Sequence, residues 1–301
     1  MRLRDIQALI DKYIDFISLK QQAINGDNHN VKISSIKDTV FALNCIQESG
    51  IFKDQFEKIR NFESFYLSSS DEITIHKSIA NQVVNSVNEL KQDLIIFNDG
   101  ISEILPEQSE FSISVRLPKI LNLKDVSESV DRLDKIFSQS LINKFVNGKV
   151  SVQNFDTGSE WIEILLNSGK AVGVIVSIVY AAIFLKREDI KNKELLEVVR
   201  NRKITNDMLE GLGKQLSDRL EEQIKEQILS ISKEAGATAS DKEYQERIKH
   251  CIKETSSLID KGLQFFPSTK SPNDIISKLP DFTKNNIEDM IPRRSELPEK
   301  T

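Results

Sequence analysis

With 301 residues, of which 39% are hydrophobic and 29% charged, the chain carries enough apolar material for one large or two modest cores. Its 41 basic and 46 acidic residues leave a net charge of −5, which excludes a global electrostatic pull toward nucleic acid or anionic lipid. Two cysteines, Cys45 and Cys251, lie far apart and outside any CxxC or Cys/His cluster, which excludes a disulfide framework or a zinc site and fits a reducing compartment.

From the N-terminus, Leu3, Ile6, Ile10, Tyr13 and Ile17 step by three and four residues, so an amphipathic helix is expected, stopping near Asn25-Gly26-Asp27. Asp5, Asp11, Lys12 and Asp15 occupy the place where a secretory signal carries its apolar run, so the expectation is a cytoplasmic protein that is not secreted. A second helix is expected over Ser34–Gln47, with Ser34 or Ser35 as its cap and Gly50 as its stop. Phe52, Phe56, Phe62, Phe65 and Tyr66 are expected to pack these pieces together. Ile73, His76, Ala80, Val83, Val87, Leu90, Leu94, Phe97, Ile101 and Ile104 then alternate steps of three and four, the pattern of a coiled-coil seam. A helix of that reach would measure roughly 45 Å, so it needs a second long helix or a partner subunit beside it.

Past Pro106 the period changes to two, with Phe111, Ile113 and Val115 alternating with Ser112, Ser114 and Arg116, as in a half-buried strand. Val126, Val130, Leu133, Ile136 and Phe137 follow at helical spacing, with Asp125 or Ser127 as cap. Strands are expected over Lys149–Phe155 and Glu160–Leu166, joined through Asp156-Thr157-Gly158-Ser159. The result is a small β-α-β-β unit. Next comes Ala171–Leu185, without a charge, bounded by Lys170 and by Lys186-Arg187. Ile204, Met208, Leu212, Leu216, Leu220, Ile224, Ile228 and Ile231 then stripe one charged helix, and Tyr244, Ile248, Ile252, Leu258 and Ile259 another. Five prolines from Pro267 onward make the end of the chain a tail with short helices at most, docked by Phe265, Phe266, Phe282 and Ile287.

The fold class is therefore α+β and predominantly helical, with long amphipathic helices flanking the small β-α-β-β unit, one short apolar helix and a proline-containing C-terminal tail. The divisions are 1–106, a helical region with the long heptad helix; 107–168, the β-α-β-β unit; 169–187, the apolar helix, core or membrane; 188–264, a charged helical hairpin; and 265–301, the tail.

Little in the chain resembles a catalytic constellation. Asp156-Thr157-Gly158-Ser159 resembles the catalytic loop of aspartic proteases, but it occurs once and its residue types are those of a hairpin turn. His29, His76 and His250 have no second ligand at a metal-binding spacing, so no metal and no cofactor is expected, and the chain reads as a non-enzyme. The run from Lys186 to Lys203 sets Lys186, Arg187, Lys191, Lys193, Arg200, Arg202 and Lys203 against four acids, a net +3. It is a candidate contact for the phosphates of a nucleotide or oligonucleotide, or else the solvated face of a charged helix.

Fifteen uncharged residues span about 22 Å as a helix, short of the roughly 30 Å hydrocarbon core. An all-round apolar helix must nevertheless be buried, in the protein's own core, on an oligomer axis or in a membrane. Gly173, Ser177 and Ala181, four residues apart, would let helices approach closely, with Val174, Ile178 and Tyr180 beside them.

In arrangement, this succession of helical front, β-α-β-β unit, short hydrophobic helix and charged helical pair resembles bacterial anti-phage, abortive-infection type membrane effectors. The resemblance implies a homo-oligomer, control by a regulatory protein, nucleotide or oligonucleotide, association with the inner face of the cell membrane and ion leakage as output. The alternative is a soluble helical scaffold or partner-binding protein with the apolar helix as its core.

Overall fold

The computed structural model describes residues 2–119, 121–156, 160–201, 206–284 and 286–291. The chain divides into two units, Met1–Pro106 and Glu107–Thr301. As expected, it is α+β and predominantly helical; it has two small antiparallel sheets, and the one in the first unit, a region expected to be helical, was not foreseen.

The first unit runs α1 (Leu3–Tyr13), a 3-10 turn (Ile14–Phe16), β1 (Lys20–Ile24), β2 (Asp27–Ser34), α2 (Ile36–Gln47), α3 (Lys53–Arg60), α4 (Glu63–Tyr66), β3 (Glu72–His76) and α5 (Lys77–Ile104). Its strands form a sheet in the order β1-β2-β3. Two expectations are corrected here. The first helix ends at Tyr13, where Ile14–Phe16 tighten into the 3-10 turn, and Lys20–Ile24 then leads through Gly26, at φ +84°, into a hairpin with β2. The long helix starts at Lys77 and not at Ile73: Glu-Ile-Thr-Ile-His alternates with period two, and β3 pairs with β2 through Ile73↔Ile33 and Ile75↔Val31. His76 is thus no seam residue. Its Nδ1 accepts the backbone N–H of Ser78 at 3.3 Å and caps α5. The seam from Ala80 to Ile101 is filled inside this unit, by α1, α3 and the sheet, without a second long helix.

Neither Ser34 nor Ser35 caps α2 with its side chain; Ser35 takes a left-handed conformation, φ +66°. The cap comes from across the fold, where the Asp71 carboxylate accepts the Lys37 N–H at 2.9 Å.

The second unit runs β4 (Ser112–Arg116), α6 (Leu123–Leu141), β5 (Val150–Asp156), β6 (Trp161–Leu166), α7 (Gly169–Asn201), α8 (Asn206–Glu234), α9 (Lys242–Asp260), β7 (Gln264–Pro267), α10 (Asn273–Lys278) and α11 (Ile287–Met290). The β-α-β-β succession is there, with Asn122 capping α6 in place of Asp125 or Ser127. Four antiparallel strands lie in the order β5-β6-β4-β7, so the tail contributes an edge strand, where Pro267 lacks only a hydrogen bond that an edge can spare. Ile113, Val115, Ile162 and Ile164 face the main core. Ser112, Ser114 and Glu163 on the other face are buried too, with the Gln108 side chain donating to Glu163 and accepting from the N–H and hydroxyl of Thr269 at 3.0 and 2.9 Å. β4 is therefore covered on both faces, not half-buried.

The apolar segment is not a short helix. It is the first half of α7, which continues unbroken into the charged run for 33 residues, roughly 50 Å. α7 packs on α8, α9, α6, α10, α11 and β6, at the centre of the second unit.

Replacing Asp71 with Ala removes the remote cap of α2 and is expected to lower stability by about 1 kcal/mol, read as a shift of the urea midpoint with unchanged slope.

Candidate functional site

Along α7, every residue from Ala171 to Ile183 is buried except Ser177 and Tyr180, which are half-buried. Val174, Ile178 and Ala181 are each 0% exposed. The segment has no polar face to give to water, and the surrounding helices and sheet accept it on all sides. Gly173 and Ser177 are engaged by the chain itself. The Glu234 carboxylate at the end of α8 accepts a hydrogen bond from the Ser177 hydroxyl at 2.6 Å, and a Cβ on Gly173 would lie 2.7 Å from the other carboxylate oxygen. Gly173 and Ser177 thus make room for an acidic side chain of α8.

The basic run is brought together only in part. Lys186 pairs with Asp260 at 2.5 Å, Arg187 and Lys191 lie 3.5 and 3.6 Å from Glu188, and Lys193 pairs with Asp189 at 2.6 Å. Asp189 holds the Lys193 ammonium above its ordinary range through that hydrogen bond. At 3.6 residues per turn these cations spread around the helix and are spent on local acids. Arg200 is exposed near the end of α7; Arg202 and Lys203 lie outside the described residues.

A concentrated basic surface occurs elsewhere, between α8 and α9. Lys225, Lys242, Lys249 and Lys253 line a groove of about 310 Å³ whose apolar wall is Ile224, Ile228 and Leu229, with Glu221 and Glu246 also present. Four lysines against two glutamates leave a local net +2. Residue-by-residue reading missed it because the lysines come from two helices. The available signal was the spacing of Lys242, Lys249 and Lys253, which flank the buried Tyr244, Ile248 and Ile252 stripe on α9. A shallower depression between α6 and α9 holds Ser138, Ile142, His250 and an Arg247–Glu243 ion pair of 2.6 Å, so its charges answer one another.

Among the described residues, no catalytic arrangement is assembled around the two cysteines. Cys251 is fully buried, its Sγ 3.5 Å from the Ile136 carbonyl oxygen, and burial pushes its thiol up to about 12. Cys45 is half-buried. Tyr244 donates to the Ser140 carbonyl at 3.0 Å, and burial raises its phenol well above the ordinary value. His29 and His76 come within 6.4 Å as stacked rings, but among the described residues no group of three His, Cys, Asp or Glu side chains could hold a metal. Of Asp156-Thr157-Gly158-Ser159, the last three residues lie outside the described residues; Asp156 pairs with Trp161 across the β5–β6 hairpin.

What the fold and surfaces define is a helix-rich α+β protein with a central buried apolar helix and a basic inter-helical groove. The chain is 28% identical over 297 residues to the uncharacterized protein YqaP of Bacillus subtilis (strain 168), an alignment that covers 95% of this chain and 94% of that protein. It therefore spans both units. No family model and no solved structure matches the chain.

Thiol labelling of the native protein is expected to modify Cys45 first, with Cys251 slower by about a hundredfold or more until denaturant is added. Equal rates for the two would contradict the burial of α9.

Proposed function

We propose that this protein is a non-enzymatic, self-associating helical scaffold that binds partners, with the apolar half of α7 as its own core. The observation that carries the reading is the burial of Ala171–Ile183 beneath α8, α9 and the sheet, which is compatible with a soluble protein. Self-association is assigned to the outer halves of α7 and α8. From Arg187 to Asn201 and from Met208 to Gln227 no described side chain is buried, yet Leu195, Val198 and Met208 are exposed. A two-helix arm of that kind has an apolar flank that a second copy can cover.

A second reading, the membrane effector, is favoured by one observation: α7 is long enough to span, with a window of mean hydropathy 1.8. In that reading the helix leaves its core, two-thirds of that window being buried (67%), when a ligand or partner releases it.

Expressed in bacteria and fractionated, the protein is expected in the soluble fraction without detergent; recovery only from the detergent-extracted membrane pellet would favour the second reading. Val176→Asp, at a site 1% exposed, is expected to unfold the protein or cost more than about 3 kcal/mol. In light scattering, Leu195→Glu combined with Val198→Glu is expected to lower the molar mass toward that of the monomer. A mass unchanged by the pair places self-association elsewhere.

A further inference from the structure

The groove between α8 and α9 combines two features that are rarely useful together unless something amphipathic lies in it. Its wall is apolar: Ile228 is buried, Ile224 half-buried, and Leu229 is 46% exposed to solvent. Its rim sets four lysines against Glu221 and Glu246, a net +2, and among the described residues none of the four lysines is engaged in an ion pair, in contrast to the basic run on α7. Lys249 and Lys253 stand four residues apart on one helix face, a like-charge spacing that is mildly destabilising in isolation and that an anionic partner would relieve.

The two features discriminate among anionic partners. Nucleic acid would use the lysines but not the isoleucine and leucine wall, and none of the residues lining the groove is aromatic, so there is no platform for stacking bases. A free phosphate would use one or two lysines and leave the apolar wall wet. An acidic amphipathic helix uses both, placing its apolar stripe between α8 and α9 and its flanking carboxylates against the lysines on either side. At about 310 Å³ the groove lies at the small end of the range for ligand pockets and has room for a few interdigitating side chains of such a helix.

We infer that the α8–α9 groove is a docking site for an acidic amphipathic helix of a partner protein, an assignment that rests on the scaffold reading and names its partner class. The lysines steer encounter and set the salt dependence, and Leu229 with the open part of Ile224 supplies the desolvated contact.

The test uses the full chain and a fluorescein-labelled 18-residue peptide with leucines at i, i+3, i+4 and i+7 and glutamates flanking them. A scrambled peptide of equal composition and a 20-nucleotide single-stranded DNA serve as comparators, all read by anisotropy. The amphipathic peptide is expected to bind at least tenfold more tightly than either comparator. Its affinity is expected to fall at least tenfold in Lys242→Glu/Lys253→Glu, both exposed positions, and again in Leu229→Glu, with circular dichroism unchanged. Equal binding of the scrambled peptide or of the DNA, an affinity insensitive to these substitutions, or no binding at millimolar peptide each overturns the docking site. Those failures in a protein that stays soluble leave the scaffold reading standing, whereas membrane recovery in the fractionation experiment counts against the scaffold reading itself.

Discussion

A helical segment without a polar side must be enclosed, and Ala171–Ile183 is such a segment. Each buried valine or isoleucine contributes roughly 1.5–3 kcal/mol when taken out of water, so this stretch is among the largest apolar contributions available to the second unit. The surrounding architecture follows from the requirement. One side of α7 is met by β6, and α8, α9 and α6 close the others, with α10 and α11 completing the cover. The tail is drawn in by the same need, since β7 extends the sheet and Phe265 joins the core while Phe282 packs against it. Even the polar contact on α7 serves enclosure: Gly173 and Ser177 are small enough for Glu234 to seal the end of α8 onto the helix.

Much of that architecture was legible because each element carried its own period. The alternation at Ile113 and Val115, the helical spacing of Leu133, Ile136 and Phe137, and the two later strands could be read locally and assembled into the β-α-β-β succession. The elements that escaped are those whose reason to exist is remote. Lys20–Ile24 has almost no apolar pattern and is a strand only because β2 is beside it. Ile73 and Ile75 fit both a strand and the start of a seam, and pairing with Ile33 and Val31 decides between them. Four-residue β7 with a proline at its end carries no strand signal until Ser114 and Val115 offer it an edge. The cap of α2 likewise lies in a loop 34 residues away.

Candidate site residues were legible in a different measure. The uniform apolarity of Ala171–Leu185 announced its importance, but not whether protein or lipid would surround it, since composition is the same for both. Charge was the harder quantity. A run of cations in sequence looks like a binding surface, yet on α7 it winds around a helix and meets Glu188, Asp189 and Asp260. The lysines of the groove looked unremarkable one at a time, because only the packing of α8 on α9 gathers Lys225 beside Lys249 and Lys253.

The same two helices that form the basic groove also hold α7 in place, and this couples the competing readings physically. α7 is continuous from its buried half into the arm, so it cannot leave the core without breaking its contacts with α8 and α9 along its length. Anything lying in the groove touches both of those helices at once and stabilises their approach. By linkage, such an occupant favours the state in which α7 is enclosed, and release of α7 would in turn weaken the occupant's affinity. A membrane-active form and a groove-bound form, both proposals, would therefore be opposed states of one equilibrium.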